Sequence, residues 1–409
     1  MNLEHLLRIL FVHQNCPGQF KHLAPALAAA GHEVLFIGQK DKVTPSGVKR
    51  LEYEPHRKVT PKIHPYLAAT EAAVLNGQAV ARVGFKLKSQ GFMPDVMIGN
   101  PGWGETLFLK DVWPDSPLIS LSEFYYNGRG SDVGFDPEFA TGPDSLLRSR
   151  TRSSQHLLAI EAADVAYSPT QWQKRQFPKA YQDKIRVIHD GIDVERIAPD
   201  PQAVFNLADG QTLTRRDEVL TFVSRNLEPY RGFHSFMRAL PAILEARPNA
   251  HVVIVGGDEV SYGAKPKGGG TWRETLLKET GPLPDRVRFT GRIPYPDFLS
   301  LLQVSSVHLY LTYPFVLSWS MLEAMAAGAF VVGSATPPVE EVIEDGKNGW
   351  LVDFFDTKAM AKRISAALAA RAELDDIRRA ARETVVSRYA LKDCLRQQLA
   401  LIDEAVTAT

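Results

Sequence analysis

The feature that most constrains the fold is a repeated alternation of short apolar runs with helix-like segments. Near the start, residues 7–13 and 32–38 are β-branched and aromatic runs without helical spacing. The segment between them places Phe20, Leu23 and Leu27 on one face of a predicted helix. Runs of this kind are typical of strands buried in a parallel sheet. The first forty residues therefore predict a βαβ unit.

The alternation restarts in the second half of the chain. The further strand-like runs are at 96–99, 118–121, 219–224, 251–256, 286–290, 307–311, 329–332 and 349–352. Helices are predicted between most of them, including 232–247, and an amphipathic helix is predicted at 391–405. Strands that alternate with helices favour parallel sheets covered on both faces. We expect an α/β protein with two Rossmann-like, doubly wound domains: 1–195 together with the C-terminal helix 391–409, and 196–390.

Composition excludes several classes of protein. The chain has 409 residues, a length that favours two domains. Its 47 basic and 47 acidic residues balance, which argues against nucleic acid as a partner. Two cysteines, Cys16 and Cys394, are too few for a disulfide framework or a thiolate metal site. No apolar run approaches the ~18–20 residues that a membrane span requires.

These observations predict a cytoplasmic protein. The first half of the chain carries a small excess of basic residues. That excess leaves room for peripheral contact between the N-terminal domain and the inner membrane surface. Ordinary solvated surface charge is the simpler explanation of the same excess.

In open parallel sheets, ligands bind in the loops at the carboxyl ends of the strands. The loop after the first strand contains a single glycine, Gly18, before a helix. Neither the Gly-x-Gly-x-x-Gly dinucleotide fingerprint nor a P-loop motif follows a strand here. Nicotinamide oxidoreductases and P-loop hydrolases are therefore disfavoured.

The loop after the strand at 219–224 carries two arginines, Arg225 and Arg231, and ends at a predicted helix start. Guanidinium groups bind phosphate oxygens in a two-pronged geometry, and helix N-termini favour anions. Gly256 and Gly257 follow the next strand and allow close backbone approach. Together these features favour a diphosphate site over a pair of ordinary surface arginines.

A second candidate lies in residues 314–328, where a turn leads into a short helix that contains Glu323 and ends at Gly328. Glu323 is expected to point toward a ligand. The spacing Ser320-x-x-Glu323 also fits a capping box, in which the carboxylate satisfies only a backbone N–H group. The two roles do not exclude each other.

Several of these motifs resemble one known family in their order. Arg225 with Arg231-Gly232, the segment 322–328 (LEAMAAG), residues 339–343 (VEEVI) and residues 345–349 (DGKNG) are similar to those of retaining family 4 (group 1) glycosyltransferases of the GT-B fold. In the first domain the resemblance is looser and rests on residues 18–23 and 190–193.

This resemblance implies two Rossmann-like domains with a cleft between them and a C-terminal helix that crosses back to the first domain. It implies a nucleotide-sugar donor, UDP- or GDP-linked, in the C-terminal domain. The N-terminal domain would hold a hydroxyl of a sugar, lipid-linked sugar or polymer acceptor. The implied reaction is hexosyl transfer with retention of the anomeric configuration and without a cofactor or tightly bound metal. The chain contains no Asp-x-Asp motif, which agrees with that last expectation.

The resemblance also implies roles for individual residues. Arg225 and Arg231 would hold the donor diphosphate, and Glu323 would bind the ribose hydroxyls. Gly18 would let the backbone approach the phosphates, and Arg292 with Ile293 would frame the base. Arg231 stands where the family usually has lysine, and the spacing from Arg225 is one residue longer than the commonest pattern.

One position departs from the family. A second glutamate often lies eight residues before the helix glutamate, and here that residue is Phe315. Sugar recognition would then fall to the backbone N–H groups of Val316, Leu317 and Ser318. Two alternatives to a transferase stay open: a sugar-nucleotide epimerase of the same fold, and a non-catalytic GT-B subunit that binds a partner transferase.

The acceptor side is expected in the loops after the strands at 96–99 and 118–121. Glu123 is the foremost candidate to orient or deprotonate an acceptor hydroxyl, and a structural carboxylate is the alternative. The other acceptor-side candidates are Asn100, Trp103, Glu105, Tyr125 and Tyr126. His13 and His189 are expected to be core or linker residues.

Overall fold

A computed structural model describes residues 5–40, 43–139 and 141–408, and the chain divides into two compact units. The first unit comprises the chain up to Gly191 together with the segment from Leu391 onward. The second unit is Ile192–Ala390. Along the chain, the boundary between the units therefore falls a few residues before the 195/196 boundary that the sequence suggests.

The first unit is built on a seven-stranded sheet of order β3-β2-β1-β4-β5-β6-β7, in which every neighbouring pair is parallel. Its strands are β1 (Arg8–Val12), β2 (Glu33–Gln39), β3 (Lys49–Tyr53), β4 (Val96–Gly99), β5 (Leu118–Leu121), β6 (Val165–Ser168) and β7 (Ile185–Val187). Its helices are α1 (Leu23–Ala29), α2 (Ala68–Ser89), α3 (Leu109–Val112), α4 (Pro143–Arg152), α5 (Ser154–Ala162), α6 (Gln171–Gln176), α7 (Lys179–Gln182) and α15 (Leu391–Thr407).

The second unit repeats this order in a six-stranded parallel sheet, β12-β11-β10-β13-β14-β15, and adds an antiparallel hairpin of β8 and β9. Its strands are β8 (Val204–Asn206), β9 (Thr212–Thr214), β10 (Val219–Asn226), β11 (His251–Gly257), β12 (Val287–Gly291), β13 (Val307–Tyr310), β14 (Phe330–Ser334) and β15 (Trp350–Val352). Its helices are α8 (Phe233–Ala246), α9 (Trp272–Thr280), α10 (Tyr295–Val304), α11 (Trp319–Ala326), α12 (Pro337–Glu340), α13 (Thr357–Ala369) and α14 (Asp375–Tyr389).

Both sheets are buried on two faces, which explains their uninterrupted apolar strands. In β1, Phe11 joins a core cluster with Ile402 of α15, whereas Leu10 and Val12 join the cluster on the opposite face with Trp113. Successive side chains of a strand point to opposite faces, so a strand covered on both sides must be apolar throughout. The prediction of two doubly wound parallel sheets is confirmed.

One local prediction was wrong. Phe20 lies in a 3₁₀ turn, Gly18–Phe20, ahead of α1 and not in the helix itself, although it is buried. The polar stretch 198–217 at the start of the second unit contains the β8–β9 hairpin, and Phe205 and Leu213 of this hairpin are buried.

Both sheets reverse their strand order at a central pair, β1 with β4 in the first unit and β10 with β13 in the second. Ligands of open α/β sheets bind at the carboxyl ends of the strands beside such a reversal. A ligand site is therefore expected at the carboxyl edge of each sheet, beside the reversal. In the part of the chain that the structure describes, no helix is long and apolar enough to cross a membrane.

Candidate functional site

A pocket of about 70 Å³ lies at the carboxyl edge of the second sheet, beside the β10–β13 reversal. The end of β10 supplies Arg225, the 3₁₀ turn Pro229–Arg231 supplies Arg231, and the N-terminal end of α11 supplies Ser318. Tyr262 and Tyr310 complete the part of the lining that matters here. The pocket thus brings together residues of two separate sequence motifs, the loop of the two arginines and the segment 314–328.

Arg231 is buried, with 9% of its surface exposed. Its Nη1 donates to Thr312 Oγ1 at 2.7 Å, to the Val316 carbonyl oxygen at 3.1 Å and to the Tyr310 hydroxyl at 3.2 Å. Its guanidinium also lies 5.3 Å from the centre of the Tyr262 ring. Arg231 is therefore not an ordinary surface arginine, whereas Arg225 is exposed.

Burial alone would lower the pKa of Arg231. The surrounding groups outweigh it, since the phenolic oxygens of Tyr310 and Tyr262 and the carboxylate of Glu228 raise that pKa above its ordinary value. The guanidinium is consequently a fixed positive charge at the edge of the sheet, held at low solvent exposure. Electrostatic interactions are stronger in such an environment than in water.

Glu228 also lines this pocket and was not singled out from the sequence. Its buried carboxylate accepts hydrogen bonds from the backbone N–H groups of Ser261 at 2.9 Å, Tyr262 at 3.2 Å and Gly263 at 2.9 Å. It therefore holds the loop after β11 against the pocket. Its position between Arg225 and Arg231 is the one sequence feature that points to it. That feature is weak, because a carboxylate flanked by basic residues is also common on protein surfaces.

Glu323 lies on α11, and its Oε1 accepts a hydrogen bond from the Tyr295 hydroxyl at 2.8 Å. The capping-box interpretation is wrong, because α11 begins at Trp319 and its N-cap is Ser318, whose side chain accepts from the Ser320 N–H. Glu323 is thus too far into the helix to cap its first turn. The guanidinium of Arg196 lies 5.1 Å from the Tyr295 ring and adds positive charge behind the pair.

Phe315 is buried against an aromatic cluster instead of presenting a carboxylate. Its ring lies 5.0 Å from that of Tyr262 and 5.3 Å from that of Tyr230. The Ser318 N–H donates to the Tyr310 hydroxyl at 2.8 Å, so it is already engaged. Among the described residues, the N–H groups of Val316 and Leu317 have no hydrogen-bond partner. Two of the three backbone donors expected for the sugar are therefore available.

The two glycines at the end of β11, Gly256 and Gly257, are packed tightly. A Cβ atom on Gly257 would lie 2.6 Å from Asn226 Oδ1 and 3.0 Å from Arg292 Nε. A Cβ on Gly256 would lie 2.9 Å from the Ser224 carbonyl oxygen. Arg292 Nη2 donates to Asn226 Oδ1 at 3.0 Å, which fixes the guanidinium over the end of β10.

Two of the predicted contact residues turn their side chains into the core. Ile293 packs against the cluster that contains Phe205 and Leu213. Leu317 is buried in the cluster that contains Met321. Leu317 therefore offers only its backbone groups to a ligand, whereas part of Ile293 stays exposed.

In the first unit, the carboxyl edge of the sheet carries a hydrogen-bonded chain that ends at Glu123. His13 Nδ1 accepts from the Asn15 N–H, so the proton lies on Nε2, which donates to Gln19 Oε1 at 2.6 Å. Gln19 Nε2 then donates to Glu123 Oε1 at 2.6 Å, and Asn100 Nδ2 donates to Glu123 Oε2 at 3.3 Å. Burial lowers the pKa of His13 to about 4, so the ring is neutral at pH 7.

The sequence singles out Glu123 and Asn100 but not Gln19, and His13 is buried, as expected of a core residue. The loops after β1, β4 and β5 meet here because their strands are neighbours in the sheet. Trp103, 37% exposed, lies 5.2 Å from the His13 ring and flanks this chain. His189 is buried in the linker and accepts from the Gly191 N–H, as expected of a structural histidine.

Gly18 has a structural reason to be glycine. Its φ is +55°, and an added Cβ would lie 2.6 Å from the His13 ring. The residue therefore closes the turn over His13. Its predicted role beside the donor phosphates stays a prediction.

Three acceptor-side candidates are placed where they serve the packing of the first unit. Glu105 is fully buried, and its Oε1 accepts from the Tyr53 hydroxyl at 2.5 Å. Tyr125 packs on Phe177 with ring centres 5.4 Å apart, and Tyr126 stacks under the Arg152 guanidinium at 3.7 Å. The expectation that Glu105 touches an acceptor was wrong, because no part of it is exposed.

Comparison with known proteins gives the family. Residues 30–197 match the model of the glycosyl transferase family 4 group, and residues 206–384 match that of glycosyl transferases group 1. The chain belongs to this family of glycosyltransferases. The resemblance seen in the sequence motifs is thereby confirmed.

Two curated relatives illustrate the match. The chain is 26% identical to D-inositol 3-phosphate glycosyltransferase of Streptomyces scabiei over 240 residues, covering 52% of this chain and 51% of that protein. It is 29% identical to a GDP-mannose-dependent α-(1-6)-phosphatidylinositol monomannoside mannosyltransferase of Mycolicibacterium smegmatis over 246 residues, covering 56% and 57%. The match spans about half the length of these relatives.

Solved structures confirm the GT-B fold. Sucrose-phosphate synthase from Thermosynechococcus elongatus has a TM-score of 0.75 at 18% identity, covering 98% of this chain and 99% of that one. HepE of Anabaena, solved in complex with UDP and glucose, has a TM-score of 0.68 at 17% identity, covering 97% and 100%.

The geometry around Gly18 predicts a loss of stability in Gly18→Ala. The variant pays both the cost of positive φ and a clash with His13, so we expect the free energy of unfolding to fall by about 2 kcal/mol or more in denaturant titration. Gly91→Ala is the matched control, because Gly91 also has positive φ but nothing lies within 4 Å of its added Cβ. Equal losses in the two variants would contradict the assigned packing.

The burial of Glu105 predicts a pH-dependent stability. Burial raises its pKa to about 7, while Tyr53 partly opposes this. The neutral acid is favoured in the fold, so this contribution to stability is complete below pH about 4.5 and is lost as the pH rises through about 7. Relative to Glu105→Gln, the wild type should lose up to roughly 3 kcal/mol across that range.

Denaturant titrations of both proteins at a series of pH values measure this difference. Tyr53→Phe removes the hydrogen bond that favours the carboxylate, so the loss should move to higher pH in that variant. A difference between wild type and Glu105→Gln that does not change with pH would show that the carboxyl is not held neutral.

Proposed function

We propose that this protein is a retaining glycosyltransferase that moves a hexosyl group from UDP- or GDP-sugar to a hydroxyl of a sugar, lipid-linked sugar or polymer. The observation that carries the proposal is the buried guanidinium of Arg231 at the carboxyl edge of the second sheet, with exposed Arg225 lining the same pocket. Family membership and the nucleotide-sugar complexes of fold neighbours support it.

In this proposal the two arginines act mainly on the leaving group. Negative charge builds on the diphosphate as the glycosidic bond breaks, and fixed cations that meet this charge lower the barrier. Arg231 is held by three oxygen acceptors before any ligand arrives, so little reorganisation is needed. We therefore propose that no tightly bound metal is required, and we expect activity to survive EDTA.

Donor recognition is assigned to α11 and the loop before it. Glu323, oriented by Tyr295, binds the ribose hydroxyls, and the N–H groups of Val316 and Leu317 bind the sugar in place of the absent second glutamate. Arg292 and the two glycines at the end of β11 lie at the same edge and frame the base. Phe315 closes the sugar pocket with an apolar face, which favours a rebuilt donor site over a decayed one.

Acceptor activation is assigned to Glu123. The carboxylate is oriented by Gln19 and Asn100 and accepts a hydrogen bond from the acceptor hydroxyl in the proposed complex. In a retaining reaction of this type, the departing phosphate takes the proton. Glu123 then orients the nucleophile and is not obliged to become protonated.

A lipid-linked acceptor is supported by the names of relatives that act on phosphatidylinositol derivatives. The helix α4 offers a surface for membrane contact, because Leu147, Arg148 and Arg150 are all exposed on it. Basic residues with an exposed apolar side chain favour binding to anionic lipid headgroups. We propose peripheral association with the cytoplasmic face of the inner membrane through α4.

Assays of nucleotide release separate the proposal from its alternatives. Release of UDP or GDP that requires an added acceptor supports a transferase. Conversion of the donor sugar without an acceptor indicates an epimerase. Neither activity, together with retained nucleotide binding, indicates a non-catalytic subunit.

The donor pocket predicts selective nucleotide binding. Among UDP, GDP, ADP and dTDP, UDP or GDP should give the largest rise in melting temperature, since binding to the native state raises stability by RT ln(1 + [L]/Kd). Glu323→Gln should reduce that rise without lowering the melting temperature of the free protein, because this residue does not cap α11. Tyr295→Phe should weaken binding less. Equal, negligible shifts for all four nucleotides would overturn the donor-site assignment.

The two arginines predict different phenotypes. Arg225→Ala should lower kcat/KM by about 10²-fold with little change in melting temperature, because Arg225 is exposed. Arg231→Ala should lower both kcat/KM and the melting temperature, because it leaves the acceptors around position 231 unpaired in a buried site. Arg231→Lys should recover part of the activity. Arg396→Ala, at an exposed position of α15, is the control. Full activity in Arg225→Ala would show that Arg225 has no role in transfer.

The exposed face of α4 predicts binding to anionic membranes. The full chain should sediment with vesicles that contain phosphatidylglycerol and not with pure phosphatidylcholine vesicles. Arg148→Glu with Arg150→Glu should reduce the bound fraction several-fold, and raised salt should do the same. Binding that is insensitive to both changes would contradict contact through α4.

A further inference from the structure

A second, larger pocket opens at the opposite edge of the C-terminal sheet. It has a volume of about 400 Å³ and lies where the strands begin, since its lining precedes β10 and β13 in the chain. The pocket around Arg231 lies at the other ends of the same two strands. The residues of this amino-edge pocket that matter here are Arg215, Arg216, Ser306, Arg371, Asp375 and Arg378.

Arg378 forms the buried part of the lining, with 9% of its surface exposed. Its Nη1 donates to the Arg371 carbonyl oxygen at 2.6 Å and to Asp375 Oδ1 at 2.8 Å, and its Nη2 donates to the Ser306 carbonyl oxygen at 3.1 Å. Its buried Nε has no hydrogen-bond partner among the described residues. Burial lowers the pKa of Arg378, and the charges of Arg215 and Arg371 lower it further against the opposing effect of Asp375.

The acidic groups nearby do not balance these cations. Asp375 pairs with Arg378, and Glu218 pairs with Arg371 at 3.1 Å. Glu218 is shared with Arg247, which makes a second ion pair with it. Within the described ranges, Arg215 and Arg216 have no carboxylate within ion-pair distance.

The uncompensated charge has a direct consequence. Like charges gathered in a concave site repel one another, and the low-dielectric walls strengthen their field. An anion that enters would offset this repulsion. Guanidinium groups match the oxygens of a phosphate better than a single halide ion, because each presents parallel N–H donors.

We propose that the amino-edge pocket binds a small phosphomonoester, at a site separate from the donor pocket. A dianionic phosphate matches the excess of cations over carboxylates. The volume of about 400 Å³ falls in the range of small-molecule sites and exceeds what inorganic phosphate alone fills. The ligand therefore carries an organic part of about the size of a sugar. This site is independent of the proposed transferase reaction.

Isothermal titration calorimetry on the full chain tests the proposal, with glucose 6-phosphate and inorganic phosphate as probes and glucose as the uncharged control. We expect saturable binding of glucose 6-phosphate, weaker binding of phosphate and none of glucose. Arg215→Ala with Arg216→Ala should weaken the binding of glucose 6-phosphate by about tenfold or more, since charge-assisted hydrogen bonds are lost. Arg225→Ala, in the donor pocket, should leave it unchanged.

The remaining outcomes overturn the proposal. One is the absence of saturable binding of glucose 6-phosphate, and another is loss of that binding in Arg225→Ala but not in the double variant. The third is binding to vesicles that contain phosphatidic acid, measured by sedimentation, with no binding of glucose 6-phosphate. Arg216→Glu alone is the second variant if the double variant does not fold, because Arg216 is exposed. Arg216→Glu reverses the charge and should weaken the binding of glucose 6-phosphate about tenfold or more. Unchanged affinity for glucose 6-phosphate in this variant also contradicts the proposal.

Discussion

The burial of the charged guanidinium of Arg231 constrains the structure of the C-terminal unit. Removing a guanidinium from water is costly unless its donors are satisfied. Here Thr312, Tyr310 and the Val316 carbonyl supply acceptors, and all three come from β13 or the loop that follows it. The requirement thus ties the turn after β10 to the segment that leads into α11, and it arranges the pocket around Arg231 before a ligand binds.

In the first unit, neutral groups hold a charged side chain, the carboxylate of Glu123, at the carboxyl edge of the sheet. Its sheet has the same 3-2-1-4 order at the reversal, and the loops after β1, β4 and β5 meet at Glu123. A neutral His13 and the amide of Gln19 fix this carboxylate through a single chain of hydrogen bonds. Polar groups at both edges are therefore held by other polar groups that the strand order brings together. In the second unit the opposite edge of the sheet gathers a further set of arginines, so the two ends of β10 carry separate clusters of positive charge.

The sequence predicted the parallel strands well because burial on both faces requires continuous apolar runs, and β4 and β5 begin and end as predicted. It missed β3, whose sequence KRLEY is charged, because this strand lies at the edge of the sheet. It also missed β6 and β7, which are only four and three residues long. Its motifs singled out Arg225 and Arg231, which line one pocket, and Glu323 on α11, and the roles of these residues stay predictions. It missed Gln19 and Glu228, because their importance comes from partners distant in the chain, and it misplaced Glu105, whose burial depends on contact with Tyr53.

Hydrogen–deuterium exchange of the full chain with and without UDP or GDP tests the central claim most directly, because it reports where the nucleotide binds. We expect protection confined to three segments around the pocket of Arg231: 224–232, 257–263 and 316–323. The segments 214–217 and 371–378 at the amino edge should not change on nucleotide binding. Protection at the amino edge, with none at the three donor segments, would contradict the assignment of the nucleotide to the pocket around Arg231.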